Sequence, residues 1–168
     1  MKKVNKGIIM QRRQFLSLTF GALALAVVPA SVRAEDYRKL KPAVWSATKM
    51  DAAIQAMYGT TTTIEEGVKL SAANVSYDSA KMATAANGAA IPIDFSTKIE
   101  AKTISVFQDS NPESTVCVYT VNKYSVNTYS IKIKMGAPGT VKVIVEGTDG
   151  KLYSATQKLN VAKGGCEG

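Results

Sequence analysis

Two cysteines, Cys117 and Cys166, carry the reactive chemistry that this sequence offers most readily. A thiolate attacks sulfur compounds and binds soft metals, so each of them is a candidate for covalent chemistry. The long stretch of chain between them excludes a CxxC redox or metal motif. The chain has no histidine, so it lacks the Ser-His-Asp and Cys-His catalytic groups and the common zinc and haem attachment patterns. We therefore predict a protein that is not an independent enzyme and that needs neither a metal nor a cofactor.

The C-terminal sequence KGGCEG presents Cys166 among residues that have almost no side chains, with Gly164 and Gly165 directly before it. Glycine loses the most backbone entropy on ordering and offers nothing to pack, so we expect residues 164–168 to form a mobile arm. At about 3.3 Å per residue, five residues extend about 16 Å. A thiol on such an arm can enter a narrow cleft and then present its load to another protein.

The charges next to Cys166 influence its reactivity. An accessible thiol has a minor thiolate fraction at neutral pH, which can form disulfide-like adducts with sulfur electrophiles. Glu167 and the terminal carboxylate disfavour the thiolate and repel anionic sulfur species, while Lys163 partly offsets them.

Cys117 lies in the apolar segment VCVYTV, where a small buried side chain is the ordinary interpretation. The alternative is a disulfide between Cys117 and Cys166, formed in an oxidising compartment, which would make the protein a stapled binding module or structural subunit. A bond to the third residue from the end would fasten only a glycine tail. Both interpretations remain open at this stage.

Residues 1–34 have the features of a cleaved export signal. The segment RRQFL near their start resembles the twin-arginine signal, an apolar stretch follows, and VRA at their end supplies small or modest residues at the cleavage positions. The apolar stretch is about half of the roughly 20 residues that span a bilayer, so we expect no stable membrane anchor. We predict cleavage after about Ala34 and a bacterial periplasmic location, with either Met1 or Met10 as the start.

The net charge of +8 arises mainly from this N-terminal segment. Residues 1–34 contain six basic and no acidic residues, which leaves 15 basic and 13 acidic residues and a charge of +2 in the remainder. No cluster of Lys and Arg remains there, so we predict no nucleic-acid partner.

One short amphipathic helix is predicted between Thr48, a candidate N-cap, and Gly59, which suits the C-terminal cap. Asp51 lies in its first turn, where the helix dipole favours an acid. Residues 35–45 before it are charged and are expected to be irregular. Core packing is favoured over a binding surface for its apolar face, which consists of Met50, Ala53, Ile54 and Met57.

After the helix the apolar residues recur with a period of two, which indicates β-strands. The predicted strands cover residues 67–77, 90–97, 102–108, 115–122, 128–135, 139–147 and 151–162. Turn signals lie at Asn87-Gly88, at Asn111-Pro112-Glu113 and at Asp149-Gly150. This pattern predicts an all-β fold: an immunoglobulin-like antiparallel β-sandwich preceded by one short helix and followed by a flexible C-terminal Gly-Gly-Cys arm.

The Gly-Gly-Cys arm behind a β-sandwich, together with the twin-arginine signal, resembles the SoxY family, the carrier subunits of the bacterial thiosulfate-oxidising (Sox) system. Looser similarities are the segments MDAAIQAMYG, AAIPI and NPE and the final hairpin. The resemblance implies that Cys166 carries sulfur-oxidation intermediates covalently and that Gly164, Gly165 and Gly168 form a swinging arm. Glu167 departs from the family's pattern, which has glycine there, and its bulk and charge are expected to slow entry into enzyme clefts.

The same resemblance implies partners and a domain organisation. The partners are a SoxZ-like subunit in a heterodimer and separate Sox enzymes, namely cytochrome, hydrolase and dehydrogenase components. The implied organisation is a signal peptide over residues 1–34, a helix plus β-sandwich carrier domain over 35–163 and the arm over 164–168.

Overall fold

The computed structural model describes residues 35–73, 75–77 and 83–162. Within these residues the chain forms three short helices and nine strands, which build two packed β-sheets. The helices are α1 (Tyr37–Leu40), α2 (Pro42–Ser46) and α3 (Met50–Tyr58). The strands are β1 (Val68–Ala72), β2 (Val75–Tyr77), β3 (Ala83–Ala85), β4 (Ile91–Thr97), β5 (Ala101–Gln108), β6 (Thr115–Thr120), β7 (Thr128–Ile133), β8 (Gly139–Gly147) and β9 (Leu152–Val161). The predicted all-β sandwich with a preceding helix is confirmed.

The two sheets differ in size. The smaller has the strand order β1-β4-β7, and the larger has the order β2-β3-β9-β8-β5-β6. Alternation along each strand turns one apolar face towards the other sheet, so that β8, for example, buries Val141, Val143 and Val145 between the layers. Every pairing between these nine strands is antiparallel except that of β3 with β9, which is parallel and which the sequence pattern did not predict.

The helices cover the outer face of the larger sheet and form a second apolar layer there. This layer explains why β5 is an almost continuous buried run, since both of its faces are covered. Its buried members are Val44, Ala53, Ile54, Met57, Phe107, Ile144 and Leu152. Core packing of the predicted helix face is thus confirmed, although Met50 is only partly buried.

The prediction that residues 35–45 are irregular is wrong, because α1 and α2 form within them. The Asp36 side chain accepts a hydrogen bond from the backbone N–H of Arg38 at 3.2 Å and caps α1, and Pro42 begins α2 with a preset φ. Such short helices have little intrinsic stability. They form here because Val44 is completely buried against the sheet, and the sequence alone does not reveal that contact.

The bounds of α3 confirm one predicted cap and correct the other. Gly59 ends the helix in the left-handed conformation, with φ of 76°, as predicted. Thr48 is not the N-cap: Lys49 occupies that position without a side-chain hydrogen bond.

The predicted strand over residues 67–77 is in fact two strands in different sheets. β1 ends at Ala72 opposite Ile93 in the smaller sheet, and β2 pairs with β3 in the larger one. A strand that changes sheet at a corner keeps its alternating pattern, so the pattern alone does not reveal the crossing. β3 was not predicted because three small residues give no period.

A partly buried polar network fastens the end of α3 to the larger sheet. The Tyr58 hydroxyl lies 2.6 Å from Ser105 Oγ and 3.2 Å from Thr103 Oγ1, and Thr103 donates in turn to Glu146 Oε2 at 2.9 Å. Burial raises the pKa of Tyr58 to about 12, although its hydrogen bonds to Ser105 and Thr103 oppose the shift.

Candidate functional site

The predicted site residues, namely Cys166, Gly164, Gly165 and Gly168, lie outside the described residues, as does Glu167. The part of the site that the structure does describe is the base from which the C-terminal segment leaves. It consists of the end of β9 and the loops on either side of it.

The end of β9 is held between β3 and β8. Leu159 pairs with Ala83 on one side and with Gly139 on the other, and its side chain is 2% exposed. Beyond it, the backbone N–H of Ala162 donates to the carbonyl oxygen of Ala85 at 3.0 Å. Strand pairing and burial therefore fix the chain as far as Ala162.

Two loops flank this point because of the strand order. β3 runs parallel to β9 and leads directly into residues 86–90, whereas β8 begins after residues 134–138. The backbone N–H of Met135 donates to the carbonyl oxygen of Gly88 at 2.8 Å and so joins the two loops. We call these two segments together the collar. The predicted turn at Asn87 is confirmed as the connection between β3 and β4, and its Oδ1 accepts from the backbone N–H of Ala89 at 2.8 Å.

A buried glutamine organises the neighbouring turn between β5 and β6. Gln108 is 1% exposed, and its Oε1 accepts from the backbone N–H and the hydroxyl of Ser110 and from the backbone N–H of Asn111, at 2.7–2.9 Å. Its Nε2 donates to the carbonyl oxygen of Glu113 at 2.6 Å. The amide thus satisfies both of its ends inside the sandwich, as a buried polar group must.

The β5–β6 turn is hydrogen-bonded to the collar and holds it in place. Asn111 Nδ2 donates to the carbonyl oxygen of Lys134 at 2.6 Å, and its Oδ1 accepts from the backbone N–H of Gly136 at 3.3 Å. Asp109 Oδ1 accepts from the backbone N–H of Thr140 at 2.6 Å. Sequence reasoning marked Asn111 only as a turn residue and missed this role. One signal in the sequence could have revealed it. Gln108 is a polar residue at a position where the alternation of β5 places inward-facing apolar side chains, and a turn follows it directly.

Cys117 lies far from this base, on the inner face of β6 at the opposite edge of the larger sheet. It is partly buried against the core, which agrees with its interpretation as a small packing residue. Burial raises the pKa of Cys117 to about 11, while hydrogen bonds to Tyr119 and to the backbone of Val106 oppose the shift. This thiol is therefore a poor nucleophile at neutral pH.

Strand register gives the separation between Cys117 and the end of β9. Cys117 pairs with Val106, Val106 with Val143 and Val143 with Ala155, so Cys117 lies level with Ala155 and three strands away, about 14 Å. Ala162 is a further seven residues along β9, about 23 Å. The two displacements are nearly perpendicular, and together they separate Cys117 from Ala162 by about 27 Å.

The chain is too short to close that distance. Four residues from Ala162 to Cys166 extend at most about 14 Å, and a disulfide joins Cα atoms at most about 7 Å apart. A disulfide between Cys117 and Cys166 of one chain would thus require β9 to detach from β3. The geometry argues against the stapled alternative.

The opposite end of the sandwich holds a cleft of about 680 Å³. Charges of both signs line it, including Lys98, Lys123, Glu100 and Glu146, so it has no clear preference for an ion. Across the described parts of the chain, no three acidic or cysteine residues are placed to hold a metal ion. None of the helices among those residues is long and apolar enough to cross a membrane.

The class of protein is now defined: a small β-sandwich whose last described strand, β9, is paired on both sides and is followed in the sequence by a segment that contains a cysteine. The sequence model of the family described as sulfur oxidation protein SoxY matches residues 54–166, more than half of the chain. The chain therefore belongs to the SoxY family.

Solved structures give a consistent picture. The sulfur carrier protein SoxY from Chlorobium limicola f thiosulfatophilum is 28% identical with a TM-score of 0.56, over 70% of this chain and 95% of that chain. Superoxide reductase (neelaredoxin) from Ignicoccus hospitalis is 12% identical with a TM-score of 0.46, over 58% of this chain and 81% of that chain, a similarity that carries no argument about function. No curated protein sequence matches the chain.

Proposed function

We propose that this protein is a non-catalytic carrier that holds sulfur-oxidation intermediates covalently on Cys166 and presents them to partner enzymes. Membership of the SoxY family and similarity to a solved sulfur carrier protein support a carrier role in sulfur oxidation. The observation that carries the proposal is the extent of the family match, because the matched segment ends on this cysteine.

Two features of the described residues support Cys166 over Cys117 as the attachment point. The pKa of Cys117, raised by burial to about 11, leaves it almost entirely protonated near pH 7. The clamped end of β9 at Ala162, by contrast, leaves only a short segment before Cys166, so a partner meets this thiol next to a fixed surface.

Loading with thiosulfate is a two-electron oxidation. The thiol of Cys166 loses its proton, its sulfur bonds to the terminal sulfur of thiosulfate, and the product is a cysteine S-thiosulfonate, Cys–S–S–SO₃⁻. Two electrons leave in the process, and an external acceptor must take them. The family resemblance implies that this acceptor is a cytochrome component.

Tetrathionate tests the attachment site without any enzyme. A thiolate attacks an inner sulfur of tetrathionate, forms the same S-thiosulfonate and releases thiosulfate, so no external oxidant is needed. We expect the wild-type chain and Cys117→Ser to gain one adduct, mapped to Cys166, and Cys166→Ser to gain none. An adduct that persists in Cys166→Ser, or wild-type protein that stays unlabelled at Cys166, would contradict the proposal.

The proposal includes export to the periplasm after cleavage near Ala34. It rests on the RRQFL segment and on the short apolar stretch that follows. Replacing Arg12 and Arg13 by lysine preserves the charge but removes the twin-arginine pattern. The variant should remain in the cytoplasm at full length, while the wild type should appear in the periplasm with Glu35 as its first residue. Equal export of both would refute a twin-arginine route.

Membership of the SoxY family implies partners within the Sox system in general. The finer proposal is a heterodimer with a SoxZ-like subunit. The edge positions of β6 and β7 support it, because each pairs with a described strand on one side only and unpaired edges of a sandwich need protection or pairing. Co-expression followed by size-exclusion chromatography with light scattering should give a 1:1 complex, and two separate species would refute the pairing.

A further inference from the structure

The C-terminal segment is short and its starting point is fixed. Pairing of β9 with β3 ends at Val161, and Ala162 is hydrogen-bonded to Ala85 at 3.0 Å. Four residues from Ala162 to Cys166 span at most about 14 Å. As long as β9 keeps this pairing, the Cα atom of Cys166 remains within about 14 Å of that of Ala162.

This limit decides which surface an enzyme must touch. When an enzyme encloses the loaded thiol in a cleft, part of the roughly 14 Å between Ala162 and Cys166 lies inside that cleft. The rim of the cleft therefore comes close to Ala162. Residues 86–90 and 134–138 lie beside the end of β9, each about one strand spacing, or about 4.8 Å, away. The rim reaches the collar before any other part of the sandwich that the structure describes.

We infer that the collar is the docking surface for the enzyme that forms the sulfur bond on Cys166. The inference rests on the proposed carrier function. Its occupant is an enzyme that encloses the cysteine adduct in a water-excluding cleft. The short length of chain after Ala162 brings the rim of such a cleft onto the collar.

The shape of the collar fits this role. Most of its exposed residues are small and add little height around the base, namely Ala86, Ala89, Ala90, Gly136 and Ala137. Lys134 is the single charged residue in these two segments. The β6–β7 loop at the other end of the sandwich differs sharply, since it exposes Tyr124 by 81% and Val126 by 79%. Long side chains at the collar would keep the rim of the enzyme's cleft away from Ala162 and so reduce the depth to which Cys166 can enter the cleft.

The collar is also held in one conformation. Met135 is hydrogen-bonded to Gly88, and Asn111 bonds to both Lys134 and Gly136 from the turn that Gln108 organises. A surface that is already ordered loses little conformational entropy on docking, so even a small contact area can be used for transient recognition.

The test compares enzymatic loading with chemical loading. Ala89→Trp and Ala137→Trp add bulk to each collar loop, and Ser125→Trp adds the same bulk to the opposite end. The purified cytochrome component of the host's thiosulfate-oxidising system supplies enzymatic loading, and tetrathionate supplies chemical loading. We expect both collar variants to lose at least tenfold in the rate constant for enzymatic loading, while Ser125→Trp stays near wild type and tetrathionate labels all of them equally.

A longer arm distinguishes two explanations for slow loading of a collar variant, namely that Cys166 no longer reaches the enzyme's active site or that the variant is misfolded. Two extra glycines between Gly165 and Cys166 should restore enzymatic loading to Ala137→Trp, which would not happen if that variant were misfolded. Wild-type rates in both collar variants, or an equal loss in Ser125→Trp, would overturn the inference while leaving the carrier function intact. Failure of tetrathionate to label wild-type Cys166 would instead overturn the carrier function itself.

Discussion

The backbone N–H of Ala162 donates to the carbonyl oxygen of Ala85 at 3.0 Å, on the parallel side of β9. This contact extends the β3–β9 pairing one residue past Val161. It sets the reach of the residues that follow, because each residue held against β3 is subtracted from the segment that leads to Cys166. In the proposed carrier function, the strength of this clamp determines how far from the sandwich Cys166 can reach.

Leu159 should be the main apolar anchor of that clamp. Leu159→Ala removes a side chain that is 2% exposed and leaves a cavity, so we expect a loss of about 2–5 kcal/mol in the free energy of unfolding. Urea denaturation followed by circular dichroism measures it. Lys158→Ala, at the exposed neighbouring position, is the control and should change stability by less than about 0.5 kcal/mol. Similar values for the two variants would refute this assignment.

Gln108 should contribute to stability through hydrogen bonds rather than volume. Gln108→Leu keeps a side chain of similar size but leaves the partners on Ser110, Asn111 and Glu113 without the amide. We expect a loss of about 2–4 kcal/mol in unfolding free energy, since each buried group left unpaired costs about 1–3 kcal/mol and water reaches some of them. Gln157→Leu is the matched control, because the Gln157 side chain bonds, among the described residues, only to the backbone of Lys158. A neutral Gln108→Leu would show that the turn does not depend on the amide.

The raised pKa of Tyr58 should lower the stability of the folded protein at high pH. The unfolded phenol ionises near its ordinary pKa of 10.0, whereas burial raises the folded pKa to about 12. Between these values the unfolded state has lost the proton that the folded state retains, so stability falls as pH rises through this window, by up to about 3 kcal/mol. Chemical denaturation at pH 9, 10 and 11 should show a shallower decline in Tyr58→Phe than in the wild type. Identical slopes would contradict the assignment.

Cys117 should react slowly and with a late pH profile. Burial raises its pKa to about 11, so its thiolate is scarce at pH 7 and increases up to about that value. Alkylation by iodoacetamide in the Cys166→Ser variant isolates this thiol. The rate should still be rising between pH 9 and pH 10.5 in the folded protein, whereas urea-unfolded protein should react faster at every pH below 10. A plateau near pH 9 in the folded state would refute the burial argument.

Periodicity was sufficient for most of the fold because alternation is a local property of each strand. The Asp149-Gly150 hairpin shows this well: Gly150 adopts φ of 81° between β8 and β9, as a short hairpin loop requires. β3 and the sheet change after Ala72 escaped prediction because they depend on contacts between distant segments. The parallel pairing of β3 with β9 belongs to the same category, since it brings Ala83 to Leu159.

The candidate site divides in the same way. The chemical character of Cys166 could be predicted from its neighbours in the sequence, and the mobile arm over residues 164–168 stays a prediction because it lies outside the described residues. The base was not predicted, because the pairing of β9 with β3 is made by backbone hydrogen bonds between distant strands, which no residue type specifies. For the collar, Gln108 and Asn111 gave a signal, but which loop they hold depends on contacts far apart in the sequence. The reach argument against a Cys117–Cys166 disulfide also required the strand register.

The most direct test of the carrier role is the intact mass of the mature protein from thiosulfate-grown cells, measured before and after reduction, with the modified residue mapped by peptide analysis. We predict a sulfur-containing addition on Cys166 that reduction removes, and an unmodified Cys117. A protein without any addition, two hydrogens lighter than the reduced chain and with Cys117 linked to Cys166, would contradict the account and establish the stapled module instead.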